Sequence, residues 1–266
     1  MKKVLHISVG IVGSGQIAKG LIKLFLKKRI RPKIYVRRKE RIPRLKKEFL
    51  DYQKRKFPKQ IPLDITYVLR YSDLSHCDVI IEAISEDFQE KVNVYQKLKK
   101  HINKKTIVGT TTSSFSIGEL AKKGHLEEQL IGLHFFNPPQ AISFLEVIPA
   151  DKFQKQLLAK LLLFLDQLGY EYEVVKDIPG FVANTILFSA LLSAVDLVIR
   201  GGISEVTVDT IIKKSLKHPM GPFELLDFIG VDTADVIFRN LFSSEEKKLS
   251  SWVTYYRRKK KTSYVK

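Results

Sequence analysis

Val9-Gly10-Ile11-Val12-Gly13-Ser14-Gly15-Gln16-Ile17-Ala18 is the stretch of sequence that decides the fold. It contains the end of an apolar, strand-like segment (residues 4–12). A segment follows in which apolar residues recur about every 3.6 residues, as in a helix. Gly13 permits a tight turn. Gly15 lets a pyrophosphate approach the start of the helix, where free N–H groups and the helix dipole favour anions. The stretch fits the dinucleotide-binding fingerprint in its strand–turn–helix context, with a plain glycine turn as the alternative. The candidate cofactor contacts here are Gly13, Gly15, Gln16, Ile17 and Ala18.

Strand-like and helical segments alternate through the first two thirds of the chain, and this order predicts a parallel sheet with right-handed crossovers. After residue 180 only helical segments follow. We therefore predict an α/β fold, a Rossmann-type doubly wound, mostly parallel sheet in residues 1–180, with a smaller all-helical domain in residues 181–266. The predicted strands are residues 4–12, 33–36, 66–69, 78–83, 106–110, 131–136 and 143–148. The predicted helices after the first are residues 44–56, 88–100, 153–168, 181–199, 207–216, 224–228 and 232–242.

The amino-acid composition limits the cellular compartment and the binding partners that can be expected. Of the 266 residues, 44% are apolar, which is enough for a large core. The single cysteine, Cys77, excludes an intramolecular disulfide, so we expect a buried packing role for Cys77 and a reducing compartment, the cytoplasm. The most apolar long segment, residues 181–199, carries too many polar residues for a membrane helix, so we expect no membrane partner. We expect no metal site.

Positive charge is concentrated in one segment. Residues 21–60 contain 17 Lys or Arg and three acids, so they account for +14 of the formal net charge of +18. A second basic cluster occupies residues 257–261. Such fields attract polyanions: nucleic acid, an acidic membrane surface or a phosphorylated small molecule. A solvated basic face without a partner is the alternative. No nucleic-acid-binding motif appears and aromatic residues are sparse among these cations, which argues against nucleic acid.

The end of the second predicted strand bears on cofactor choice. An acid that binds the ribose hydroxyls is expected there, about 20 residues after the glycines. This chain has Arg37-Arg38-Lys39 instead. An arginine at this place suits a 2′-phosphate, because its planar fork grips phosphate and stacks on adenine. NAD or NADP is therefore the predicted cofactor, with Arg37 favouring NADP.

Two strand-like segments carry an imidazole and a carboxylate. His134 opens the run His134-Phe135-Phe136-Asn137-Pro138-Pro139, and Glu146 follows twelve residues later. A turn near Pro139 and Gln140 predicts an antiparallel return that places His134 opposite residues 145–146. A carboxylate that contacts a histidine fixes its tautomer and stabilises its charged form, as a general acid or base requires. A buried polar pair with a structural role is the alternative.

Hydroxyl side chains follow the predicted strand of residues 106–110. The run Thr110-Thr111-Thr112-Ser113-Ser114 stands where open α/β sheets bind their ligands, at the carboxyl end of a strand. These hydroxyls can donate to a substrate oxygen. The alternative is a Ser/Thr cap for a helix that begins near Ile117.

These residues together resemble the L-3-hydroxyacyl-CoA dehydrogenases, including bacterial 3-hydroxybutyryl-CoA dehydrogenases. The matching pieces occur in family order over about residues 4–240, whereas Thr111 and Thr185 stand where the family usually has Asn and Arg. The family's glycine-rich ending is missing from residues 252–266. The matching pieces are Gly13-Ser-Gly-Gln-Ile-Ala-Lys-Gly20, Val79-Ile-Ile-Glu-Ala-Ile-Ser-Glu86 with Lys91, Thr112-Ser-Ser-Phe-Ser-Ile117, His134-Phe-Phe-Asn-Pro-Pro139, Leu145-Glu-Val-Ile148, Pro179-Gly-Phe-Val-Ala-Asn184 and His218-Pro-Met-Gly-Pro-Phe-Glu-Leu-Leu-Asp227.

The resemblance implies hydride transfer between NAD(P) and an (S)-3-hydroxyacyl-CoA/3-oxoacyl-CoA pair, with short chains favoured, in a cleft between the two domains of a homodimer. His134 is implied as general base with Glu146 as its partner, while Ser113 and Asn184 are implied to bind the reacting oxygen and the thioester end. Lys46 and Lys47, in the basic helix, are candidates for the phosphates of coenzyme A. Glu86, Lys91 and Asn137 are implied neighbours of the nicotinamide, and Arg38 joins Arg37 as a cofactor candidate.

A protein that binds a cofactor or nucleic acid without turnover is the alternative function. It would use the two basic clusters. A catalytically inactive homologue is disfavoured by the joint presence of Ser113, His134, Glu146 and Asn184.

Overall fold

The computed structural model describes residues 6–242, which divide into two compact units between Asp177 and Ile178. The predicted cluster at residues 257–261 and the chain ending at residues 252–266 lie outside the described residues, as do the first two residues of the predicted first strand. The strands of the first unit are β1 (Val9–Val12), β2 (Lys33–Tyr35), β3 (Thr66–Val68), β4 (Val79–Glu82), β5 (Ile107–Thr110), β6 (Leu130–Phe135), β7 (Phe144–Pro149) and β8 (Glu171–Val174). Its helices are α1 (Gln16–Lys27), α2 (Ile42–Lys56), α3 (Phe88–Lys99), α4 (Ile117–Gly124) and α5 (Lys155–Leu168).

One sheet in the order β3-β2-β1-β4-β5-β6-β7-β8 organises the first unit. The first six strands in the chain are mutually parallel, β6 and β7 pair antiparallel, and β7 and β8 pair parallel. β1 and β4 are buried along their whole length, as expected for strands that helices cover on both faces. The strand order reverses between β1 and β4, which creates the switch point at which open α/β sheets bind ligands. The predicted fold class is confirmed.

The second unit is helical in its described part. It contains α6 (Ala183–Ile199), α7 (Glu205–Leu216), α8 (Pro222–Ile229) and α9 (Val231–Leu241). Phe188 and Phe238 pack edge to face with ring centroids 4.7 Å apart and form the centre of its core. No helix of residues 6–242 is long and apolar enough to cross a membrane.

A buried aspartate explains part of the Pro-Met-Gly-Pro motif. The Asp209 carboxylate of α7 accepts hydrogen bonds from the backbone N–H groups of Phe223 (2.8 Å) and Glu224 (3.1 Å), at the start of α8. A Cβ at Gly221 would lie 2.4 Å from the Asp209 side chain. Glycine is therefore required at residue 221 because the carboxylate that caps α8 occupies the space of a side chain.

Two local features were not identified from the sequence. Strand β8 was not predicted, because Glu171-Tyr172-Glu173-Val174 is mostly exposed at the sheet edge and lacks an apolar run. The cap of α4 is not in residues 110–114. Ser116 is the cap, and its side chain accepts the Glu119 N–H at 3.2 Å. Other boundaries differ from the prediction by a few residues.

Asp177, the last residue of the first unit, also binds the start of α4. Its carboxylate accepts hydrogen bonds from the Ser116 hydroxyl (2.8 Å), the Ile117 N–H (3.0 Å) and the Gly118 N–H (2.8 Å). The first turn of a helix leaves N–H groups without intrahelical acceptors, so this carboxylate completes the helix terminus.

We expect Asp177→Ala to lower the free energy of unfolding by about 1–3 kcal/mol, because the donors of α4 lose a charged acceptor. Urea unfolding followed by far-UV circular dichroism measures the change. The control is Asp151→Ala, which removes an exposed aspartate. Equal midpoints for the two variants would contradict the capping role of Asp177.

Candidate active site

The glycine turn after β1 packs directly against the end of β4. Gly13 has a φ of +135°, and a Cβ there would lie 2.2 Å from the Ala83 carbonyl oxygen. Only glycine meets both conditions. By contrast, a Cβ at Gly15 would meet no atom within 4 Å. The turn therefore needs Gly13 for its own conformation, whereas the absent side chain of Gly15 leaves open space at the start of α1.

That open space lies at the N-terminus of α1. Gly15 is the N-cap residue and supplies no side-chain acceptor, and the first turn of α1 contains no acid. The N–H groups of Gln16, Ile17 and Ala18 belong to the first turn, whose donors have no intrahelical acceptor. The local charge and the open space fit a pyrophosphate at the switch point of the sheet.

Arginines surround the end of β2. The Arg37 guanidinium lies 3.4 Å from a Glu90 carboxylate oxygen, yet 73% of its side chain is exposed. Arg38 is exposed and precedes a short 3-10 turn. Arg41 was not among the predicted residues, although its guanidinium donates to the Ser14 hydroxyl at 3.3 Å in the glycine turn. The sequence could not single it out among so many cations.

Glu86 organises the loop that carries Ser113. Its carboxylate accepts hydrogen bonds from the Thr112 hydroxyl (2.6 Å), the Ser113 N–H (2.9 Å) and the Ser114 hydroxyl (3.0 Å). The Lys91 ammonium lies 3.5 Å from the other Glu86 oxygen. The structure thus brings together three predicted residues, Glu86, Lys91 and Ser113, after the ends of β4 and β5.

A fully buried carboxylate, which the sequence did not reveal, supports this loop. Glu82, the last residue of β4, lies 2.8 Å from the Lys91 ammonium, and both side chains are at most 1% exposed. Glu82 also accepts hydrogen bonds from the Tyr95 hydroxyl and, at 2.8 Å, from the Thr110 hydroxyl. The partners come from α3 and β5, so no local sequence pattern could have revealed them.

The hairpin of β6 and β7 pairs His134 with Glu146. The antiparallel register places them directly opposite each other, as predicted. Nδ1 of His134 lies 2.6 Å from a Glu146 oxygen, and the two side chains are 6% and 4% exposed. The Phe136 ring lies 5.2 Å from the imidazole. An ionised carboxylate only accepts hydrogen bonds, so the tautomer that suits this contact carries its proton on Nδ1.

The remaining predicted residues are more dispersed. Asn137 is exposed in the turn after β6, and Lys46 and Lys47 are exposed on α2. Asn184 is buried in the first turn of α6, in the second unit. Cys77 is buried, which raises the pKa of its thiol to about 11 and fits its predicted packing role. No group of three or more His, Cys, Asp or Glu within residues 6–242 is arranged to hold a metal ion.

Two family models match nearly the whole chain. The model of the NAD binding domain of 3-hydroxyacyl-CoA dehydrogenase matches residues 8–178, and the model of its C-terminal domain matches residues 180–263. The chain belongs to the 3-hydroxyacyl-CoA dehydrogenase family. The resemblance inferred from the sequence motifs is confirmed.

Individual curated relatives match over shorter stretches. The chain is 38% identical over 160 residues to the mitochondrial hydroxyacyl-coenzyme A dehydrogenase of Sus scrofa, which is 60% of this chain and 51% of the relative. It is 34% identical over 165 residues to the fatty acid oxidation complex subunit alpha of Acinetobacter baumannii, 62% of this chain and 23% of that protein. The chain thus spans about half the length, or less, of these curated relatives.

Two solved structures match over most of the chain. M. tuberculosis FadB2 is 26% identical with a TM-score of 0.81, and the match covers 89% of this chain and 87% of that one. The (S)-3-hydroxybutyryl-CoA dehydrogenase PaaH1 of Ralstonia eutropha is 27% identical with a TM-score of 0.79 and the same coverage.

The two glycines of the turn allow a matched test of the cofactor site. We expect Gly15→Ala to keep the stability of the protein and weaken NAD(P)H binding about tenfold or more, because its methyl group enters the open space at the start of α1. Gly13→Ala should instead lower the free energy of unfolding by about 2 kcal/mol or more, because its Cβ overlaps the Ala83 carbonyl and its φ is strained.

Cofactor affinity is measured by fluorescence titration and stability by thermal unfolding. Unchanged NAD(P)H affinity in a folded Gly15→Ala variant would contradict a dinucleotide site at this turn.

Proposed function

We propose that the protein interconverts (S)-3-hydroxyacyl-CoA and 3-oxoacyl-CoA with NAD(P) as the hydride carrier. The observation that carries the proposal is the buried His134–Glu146 pair, 2.6 Å apart, on the same sheet as the glycine turn after β1. Membership of the 3-hydroxyacyl-CoA dehydrogenase family supports it. Geometry and family together favour an acid–base pair over a purely structural one.

In this proposal His134 moves one proton. During oxidation, Nε2 of His134 takes the proton of the C3 hydroxyl, and NAD(P), held at the glycine turn after β1, would supply the acceptor for the C3 hydride. The imidazolium that forms is stabilised by the Glu146 carboxylate at Nδ1. Reduction runs the same steps in reverse. The cofactor, when bound, supplies the redox chemistry, and the protein orients the groups and transfers the proton.

Hydrogen-bonding groups complete the proposed site. We assign the Ser113 hydroxyl and the Asn184 amide to the reacting oxygen and the thioester end of the substrate. Glu86, Lys91 and Asn137 are assigned to the nicotinamide and its ribose. The bonds from Glu86 to the Ser113 loop support this, because they fix the loop before substrate binds.

The substrate assignment is a 3-hydroxyacyl-CoA of short chain. The name of the Ralstonia eutropha relative, (S)-3-hydroxybutyryl-CoA dehydrogenase, supports a four-carbon acyl group. Coenzyme A carries several phosphates, and the cations of α2 suit such a ligand. Lys46 and Lys47, both exposed on α2, remain the candidates for these contacts.

A homodimer is the proposed assembly, formed through the second unit. Several large apolar side chains there are exposed, and dimerisation would remove them from water. A cytoplasmic location, expected from the single cysteine, remains a proposal. The exposed side chains include Ile186 (68%), Val206 (75%), Leu216 (60%) and Phe228 (62%).

We expect His134→Gln and His134→Ala each to reduce kcat for acetoacetyl-CoA reduction about 10²- to 10⁴-fold while NAD(P)H affinity persists, because proton transfer is lost and the glycine turn is intact. Glu146→Gln should also lower kcat. Absorbance at 340 nm measures the rate. The control is His101→Gln, which changes an exposed histidine after α3.

Near-normal turnover in both His134 variants would contradict the role of His134. Salt-sensitive DNA binding by the unaltered protein, with no acetoacetyl-CoA reduction, would instead favour a nucleic-acid-binding protein.

The cofactor preference is proposed to be NADP(H). Arg37 at the end of β2 supports it, and so does Arg41 beside the glycine turn.

We expect a higher kcat/KM with NADPH than with NADH, and Arg37→Met should lower the NADPH value about tenfold or more, because a charged hydrogen bond to the 2′-phosphate is lost. The control is Arg31→Met, which changes an exposed arginine before the start of β2. A strong NADH advantage in the unaltered protein would refute the preference.

A further inference from the structure

Glu82 has a complete set of hydrogen-bond donors although no solvent reaches it. Its carboxylate accepts from the Lys91 ammonium (2.8 Å), the Ile84 N–H (2.8 Å), the Thr110 hydroxyl (2.8 Å) and the Tyr95 hydroxyl. Its own exposure is 0%. The Lys91 ammonium and the Ile84 N–H can only donate, so both need a lone pair of the same Glu82 oxygen, and the buried ammonium 2.8 Å away pairs with an ionised carboxylate.

Tyr95 reinforces this assignment. Burial and the charge of the neighbouring Glu82 raise the pKa of Tyr95 well above its usual value of 10.0. The phenol therefore stays protonated and donates to Glu82. Among residues 6–242, Lys91 is the only cation that forms an ion pair with Glu82.

Lys91 joins Glu82 to Glu86. Its ammonium lies 2.8 Å from Glu82 and 3.5 Å from Glu86. The triad Glu82–Lys91–Glu86 thus has two carboxylates for one ammonium and a net charge of one negative unit. The Lys91 and Glu82 side chains are at most 1% exposed, whereas the Glu86 side chain is 25% exposed. Water screens the charge of this mostly buried triad less than it screens a surface charge. The electric field of the triad therefore reaches the space beside Glu86.

We propose that Glu82 is a positioning residue that holds Lys91 and Glu86 in place, and that its charge shifts the affinity of the cofactor site toward the oxidised dinucleotide relative to the reduced one. This inference rests on the proposed function, in which Glu86 and Lys91 border the nicotinamide. The nicotinamide ring is cationic when oxidised and neutral when reduced. A net negative triad beside it therefore stabilises the oxidised form and leaves the reduced form nearly unaffected.

Glutamine at residue 82 can remove the charge and keep the hydrogen bonds. Its amide oxygen can accept from Lys91 and Ile84, while its amide nitrogen can donate to the hydroxyls of Tyr95 and Thr110, which both accept and donate. Glu82→Gln therefore changes the triad from −1 to 0 with little change in shape. Lys91→Gln changes it to −2, and the double variant returns it to −1.

The test is the ratio of affinities for oxidised and reduced cofactor, measured by isothermal titration calorimetry with whichever of NAD and NADP binds the unaltered protein more tightly. We expect Glu82→Gln to lower the preference for the oxidised form about threefold or more, and Lys91→Gln to raise it. The double variant should return the ratio close to its original value although it carries two substitutions. Circular dichroism and thermal unfolding establish that each variant is folded.

Four outcomes decide between the explanations. The proposal is supported if the preference for the oxidised cofactor is highest in Lys91→Gln, intermediate and equal in the unaltered protein and the double variant, and lowest in Glu82→Gln. An equal loss of both affinities in Glu82→Gln overturns it, because Glu82 would then be only a structural anchor. A double variant that behaves like Glu82→Gln also overturns it, and this comparison stands if Lys91→Gln alone does not fold. Failure of the unaltered protein to bind either dinucleotide refutes the proposed function itself.

Discussion

The close approach of Gly13 to the Ala83 carbonyl is the constraint on which the rest of the site depends. The end of β1 and the end of β4 lie so near that a side chain at Gly13 has no space. This contact occurs where the strand order reverses, so the start of α1 and the loop after β4 occupy the same edge of the sheet. The start of α1 and the Glu86 loop are consequently neighbours because of backbone packing alone.

The sequence predicts most of the fold because its signals are local. Buried strands such as β4 are continuous apolar runs, and the glycine turn carries its own conformational requirement. The His134–Glu146 pair could also be predicted, since a short hairpin fixes the register between its strands. Strand β8 escaped prediction because it is exposed at the sheet edge, where pairing rather than burial defines it.

Contacts between distant elements account for the residues that were missed. Glu82 ends an apolar strand, and nothing in its neighbourhood indicates that Lys91, Tyr95 and Thr110 converge on it from α3 and β5. Arg41 is one cation among many in a basic segment, and only the geometry selects it for the Ser14 hydroxyl. Residue type identifies candidates in such cases, whereas tertiary packing decides which of them meet.

Asp177 has a consequence for two properties of the protein. It is the final residue of the first unit, and its carboxylate is bonded to the beginning of α4, two residues after Ser114. The end of the first unit is therefore bonded to the short segment that follows the Ser113 loop. A change at Asp177 acts on stability and on the surroundings of Ser113 at once, although about 60 residues of chain separate the two.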